Sequence, residues 1–92
     1  MDAQTQNTNE DLATKLRGMA ISEIAAVIKR DWKGVYFGAV PYLDAMRSMD
    51  KITDAYGQDD GKSIVAYFLS NATRWKGETA KAVKAELKRR MK

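Results

Sequence analysis

Gly61-Lys62-Ser63-Ile64-Val65-Ala66-Tyr67-Phe68-Leu69-Ser70-Asn71-Ala72 is the stretch on which the fold turns. From Ile64 to Leu69 every residue is apolar, which suits either the central helix of a small bundle or a strand buried on both faces. A strand here would lack a partner, because no other run in the chain matches it in quality. We therefore read a helix over 61–72, started by Asp59 or Asp60 as its cap. The fold class that follows is all-α: a compact bundle of four to five short helices with a basic C-terminal helix. The rival is α+β with one short buried strand, at 35–40 or 64–69.

Upstream of that helix, residues 50–61 read as a loop with Tyr56-Gly57 as a turn. Pro41 suits the first turn of a helix, and Tyr42, Ala45, Met46 and Met49 continue it as an apolar stripe, predicting a helix over 41–50. Residues 33–41 are an apolar run broken by Gly34 and Gly38, and Val40 is biased away from helix by the proline after it; they predict a tight, buried connector. Ile21, Ile24, Ala25, Ile28 and Trp32 recur at helical spacing and predict a helix over 21–32. Leu12, Leu16 and Met19 mark another over 9–17, with Glu10 and Asp11 at its positive end and Gly18 at its stop. Residues 1–9, rich in Gln, Asn and Thr, have nothing to bury and are expected to be a flexible tail, leaving 10–92 as a single helical domain.

Downstream, Asn71 or Thr73 can cap a last helix over about 74–91. On a wheel of about 100° per residue, Ala80, Val83, Leu87 and Met91 share one side, with Trp75 beside them. Lys81, Lys84, Lys88 and Lys92 share the neighbouring side, about one turn or 5–6 Å apart. Glu86 precedes Arg90 by four residues, the favourable order for an exposed ion pair. The expected core is Ile24, Ile28, Trp32, Met46, Ile64, Phe68, Trp75, Val83 and Leu87.

Composition removes more chemistry than any motif proposes. The 92 residues include no Cys and no His, so there is no thiolate nucleophile, no imidazole base and no disulfide, and zinc and iron lose their usual ligands. The polar start of the chain carries no secretory leader and no apolar run approaches a membrane span, which makes the cytoplasm the expected setting. Net charge is +4, but residues 74–92 carry eight basic side chains against two acidic ones, while 1–73 are slightly acidic. Such a terminal element can bind a polyanion, although cations near a helix C-terminus also complement its dipole. The lysine row carries no base-reading side chain beside it, so any nucleic acid would be bound without sequence preference.

Two motifs fail on inspection. Gly61-Lys62-Ser63 resembles the end of a phosphate-binding loop, but the glycine required five residues earlier is Tyr56, and the preceding segment is too polar for a strand. Asp50, Asp54, Asp59 and Asp60 form an acidic cluster without the calcium-loop pattern, since the twelfth position from Asp59 is Ser70. Their expected role is in turns and helix caps. A metal-dependent enzyme built on these carboxylates, with Asp54 and Asp59 as ligands, is the least favoured reading.

Asp31-Trp32-Lys33, Ala39-Val40-Pro41-Tyr42-Leu43-Asp44-Ala45-Met46, Tyr56-Gly57, Asp60-Gly61-Lys62-Ser63-Ile64-Val65, Tyr67-Phe68-Leu69-Ser70-Asn71-Ala72 and Trp75-Lys76-Gly77-Glu78 together resemble short uncharacterised proteins carried by bacterial phages, plasmids and other mobile elements. The resemblance covers about residues 21–92 and implies a genomic setting, with no activity, cofactor or site attached. The expectation for function is a small non-enzymatic accessory protein, without cofactor or metal, that binds another macromolecule. A protein partner is favoured. The alternative is sequence-nonspecific nucleic-acid binding through Lys81, Lys84, Lys88 and Lys92. Weak self-association is a further expectation, because a chain this short has a thin core and a Met46–Met49 strip could form a seam.

Overall fold

The computed structural model describes residues 8–56 and 59–92. In chain order they form α1 (Thr8–Arg17), α2 (Ile21–Asp31), a 3-10 turn (Phe37–Ala39) running into α3 (Val40–Met46), β1 (Ala55–Tyr56), β2 (Asp59–Asp60), α4 (Gly61–Ser70) and α5 (Glu78–Arg90). Helix makes up 65 % of the described residues, and the architecture is the expected all-α bundle. Neither stretch of the α+β rival is a strand: 64–69 lies within α4, and 35–40 is two irregular residues, the 3-10 turn and the first residue of α3. The antiparallel pair, Ala55 with Asp60 and Tyr56 with Asp59, closes a loop and is no core sheet. The expectation for residues 1–9 falls mostly on 1–7, outside the described residues; α1 begins at Thr8.

Helix α1 packs along α5, α3 along α4, and α2 bridges the two pairs by touching α3 and α5. All nine expected core residues are buried, and Leu16, Ile21, Val65 and Met49 join them. At the centre, the Trp32 ring meets Phe68 edge-on at 6.4 Å and lies parallel to Trp75 at 5.8 Å. Asp60 caps α4 by accepting the Ser63 amide at 2.8 Å.

The element ends differ from their sequence expectations for identifiable reasons. Helix α3 stops at Met46 instead of 50, because the next residues tighten into a turn that aims the Met49 and Asp50 carbonyls at the start of α2. These carbonyls accept the Ser22 and Ile21 amides at 2.8 and 2.9 Å, satisfying two donors that a helix leaves open at its start. Glu23 supplies a third bond there, accepting the Ala20 amide at 2.7 Å. The same turn buries Met46 and Met49 together, so the strip expected to form a dimer seam is inside the core.

The connector at 33–41 is tight but not buried. A 3-10 turn sends successive side chains about 120° apart, so only one of three can face inward. Here that residue is Ala39, and Phe37 is left 79 % exposed. Helix α5 starts at Glu78, four residues later than expected, because Gly77 has φ 113°, a conformation that glycine tolerates and other residues rarely adopt. That break frees residues 71–77 to fold back and bury Trp75.

Candidate nucleic-acid interface

Three bonds fix the 71–77 connector against the bundle. Trp75 donates its indole Nε1–H to Asp31 Oδ2 at 2.8 Å, its ring stacks on Trp32, and its carbonyl accepts Lys84 Nζ at 2.7 Å. Lys84 thus folds back over the Trp75 ring, 6.0 Å from its centroid, and is half-buried. Burial, then the nearby charges of Lys76 and Lys88, lower its pKa from the ordinary lysine value. This corrects the reading of Lys84 as one of four equivalent outward lysines: it is a clamp on the connector. Lys81 and Lys88 on α5, and Lys92 two residues past its end, do lie exposed.

The cationic surface does not end with α5. Lys76 and Arg74, both exposed, extend it along the connector, and Lys76 lies near enough to act on the charge of Lys84. Thr73, Trp75, Lys76, Lys81 and Lys84 line an open groove of about 340 Å³ at this end of the helix. The Arg74 guanidinium lies 4.7 Å from the centre of the Tyr36 ring, which in turn contacts Phe37 at 4.9 Å. An exposed aromatic ring is thereby joined to the cationic belt. The acidic groups at this end are Asp31, which accepts the Trp75 indole, and Glu78 in the first turn of α5.

Sequence reasoning singled out neither Phe37 nor Arg74 as surface features. The signal for Phe37 was the Gly34/Gly38 spacing before Pro41, which fits a short turn with one ring turned out. For Arg74 there was none, since its partner Tyr36 is 38 residues distant in the chain.

Elsewhere the polar side chains serve the fold. Glu86 is 5 % exposed, correcting the reading of an exposed pair with Arg90. It accepts Arg89 at 2.6 and 3.1 Å and Arg90 at 2.6 Å, while Arg90 also donates to the Leu16 carbonyl at the end of α1, again at 2.6 Å. Desolvation works against the Glu86 carboxylate, and the hydrogen bonds and charges of the two arginines outweigh it, holding its pKa below the usual range. Of the acidic cluster, Asp54 accepts the Asp50 and Lys51 amides and Asp60 caps α4; the Asp59 side chain lies outside the described residues. Among the described residues no group of three or more acidic side chains is gathered as a cation site would require. Another groove, about 570 Å³ beside Arg17, Glu23, Lys51 and Arg90, includes two side chains already engaged, Glu23 in the cap of α2 and Arg90 in the Glu86 network.

Comparison with protein-family models, with curated proteins and with solved structures gives no match to this chain. Among the described residues no helix is long and apolar enough to cross a membrane.

Proposed function

We propose that the protein is a non-enzymatic binding protein whose ligand is a nucleic acid, held through its phosphates without base readout. The observation that carries this reading is the set of exposed cations on the connector and the last helix: Arg74 and Lys76, then Lys81 and Lys88 on α5, and Lys92 just past its end. Each phosphate neutralised releases counterions, so affinity depends steeply on salt. With three to five contacts the slope of log affinity against log salt is about −2 to −3.5 for a single strand. Fluorescence anisotropy of labelled DNA and RNA between about 50 and 200 mM salt measures it. Lys81→Gln with Lys88→Gln should flatten the slope by about 1 to 1.5 while the circular dichroism spectrum stays the same, because both residues are exposed. Failure to bind DNA or RNA at about 50 mM salt defeats the proposal.

A protein partner is the second reading, and one observation favours it. Phe37, Val40 and Tyr67 are exposed by 79, 39 and 49 %, and exposed apolar surface of this kind often marks a protein contact. The first reading is preferred because the most exposed of these rings packs on Tyr36, which Arg74 covers, and the connector continues into further cations.

A further inference from the structure

We infer that the nucleic acid is single-stranded and that the Phe37 ring stacks on one of its bases. The inference rests on the nucleic-acid reading and deepens it by naming the class of ligand. In a duplex the base faces are covered by their neighbours, so an outward aromatic ring has nothing to stack on; in a single strand every base offers a face. Cationic side chains alone serve either form. Phe37 is the feature that separates them.

The ring is held by a built support. Tyr36 lies behind it at 4.9 Å and is flanked on another side by the Arg74 guanidinium at 4.7 Å. Gly38 makes this packing possible: a Cβ there would lie 2.6 Å from the Tyr36 ring and 2.8 Å from the Asn71 side-chain oxygen. Asn71 is fixed in turn by donating to the Tyr67 carbonyl at 2.9 Å. Phe37 therefore projects from a braced turn, an arrangement that limits the ordering cost of binding.

The surroundings match a strand's chemistry. The two ring separations place the Arg74 guanidinium within about 10 Å of the Phe37 ring, so a base on the ring leaves its phosphate chain within reach of a charged donor. Lys76 follows two residues later and leads the backbone on to Lys81 and Lys88. Tyr67, whose carbonyl holds the Asn71 side chain next to Gly38, is a second half-exposed ring. Exposed rings and exposed cations are the two components that nonspecific single-strand binders combine.

The test is anisotropy titration of the intact protein with labelled oligo-dT and oligo-U of about twenty nucleotides and with a duplex of the same length, at about 50 mM salt. The expected result is tighter binding of the single strands than of the duplex. Phe37→Ala should weaken the single strands by about 5- to 100-fold and leave duplex affinity and the salt slope unchanged, while Phe37→Trp should retain single-strand binding. Lys81→Gln with Lys88→Gln should weaken both forms. Equal binding of duplex and single strand, with no effect of Phe37→Ala, overturns the inference and leaves the charge-based reading standing. No binding of any nucleic acid overturns both readings.

Discussion

The indole rings of Trp32 and Trp75 lie 7° from parallel with their centres 5.8 Å apart, although the whole of α3 and α4 lies between the two residues in the chain. This stack joins the end of α2 to the connector before α5, and the Trp75 Nε1–H to Asp31 bond locks its register. Trp75 is 3 % exposed, so the connector contributes to the core as a helix would.

Trp75→Phe removes the indole donor and part of the stack, and should cost about 1–3 kcal/mol. Trp75→Ala should cost about 3–5 kcal/mol, comparable with the whole stability of a small domain. Thermal melts followed by far-ultraviolet circular dichroism check both. For a domain of this size each kcal/mol lowers Tm by about 4–8 °C. A loss under about 0.5 kcal/mol for Trp75→Ala would show that the connector is not anchored as described.

Glu86 and its arginines give the second prediction. Glu86→Ala leaves the Arg90 guanidinium, only 15 % exposed, without its anion and should cost about 3 kcal/mol. The pH dependence follows from the lowered pKa. The folded state holds Glu86 ionised more firmly than the unfolded chain does, so its contribution is present above the ordinary carboxyl range. It is lost as pH falls through the folded-state value. Urea titrations from pH 6 down to about pH 3 should therefore show wild type losing stability faster than Glu86→Gln, with the two curves converging at the acid end.

Helix α4, apolar from Ile64 to Leu69, was legible because no other run in the chain could pair with it as a strand; α2 was legible because one face repeats over three turns, so burial fixes both position and orientation. The expected core was legible for the same reason. What could not be read were features set by partners distant in sequence. The end of α3 depends on amides of α2 that need the Met49 and Asp50 carbonyls, and the start of α5 depends on Trp75 reaching Asp31. Glu86 and Lys84 looked like surface residues because a helical wheel records angle and not what stands opposite. One faces Arg90 and the end of α1, the other a bare carbonyl of the connector.

Gly61 supplies a third prediction, because the glycine of the rejected phosphate-loop motif has a packing role. Its amide donates to the Asp54 carbonyl at 2.6 Å, and a Cβ would lie 2.5 Å from the Ile52 carbonyl oxygen, 2.6 Å from the Met49 methyl and 2.9 Å from the Asp54 oxygen. The glycine is needed for close approach of the 49–54 segment. Two of the three obstacles are backbone, so Gly61→Ala should destabilise by about 1–3 kcal/mol despite alanine's better helix propensity. Asp60→Ala, one residue earlier, should cost less, since it removes only the cap. Chemical denaturation of the two variants measures the order, and a stabilising Gly61→Ala would contradict the packing.

Lys84 gives the last prediction, because it separates a clamp from a phosphate contact. Its ammonium is turned to the Trp75 carbonyl, so Lys84→Met should change the salt slope of nucleic-acid binding little, whereas Lys88→Gln should flatten it by about 0.7 on a single strand. Stability should respond in the opposite order: loss of the Lys84 bond should cost about 1–2 kcal/mol, and Lys88→Gln less than about 0.5. The pH dependence distinguishes the clamp further. Burial first, and then Lys76 and Lys88, lower the pKa of Lys84 in the folded state, so over the interval below the ordinary lysine value the unfolded chain binds more protons there. Stability from this site therefore rises as pH increases through that interval, since the neutral amine loses its desolvation and repulsion penalties and still donates to the carbonyl. Wild type should gain on Lys84→Met as pH is raised from 8 toward about 10. A constant difference across that range would place the Lys84 amine in solvent, returning it to the outward row with Lys81, Lys88 and Lys92.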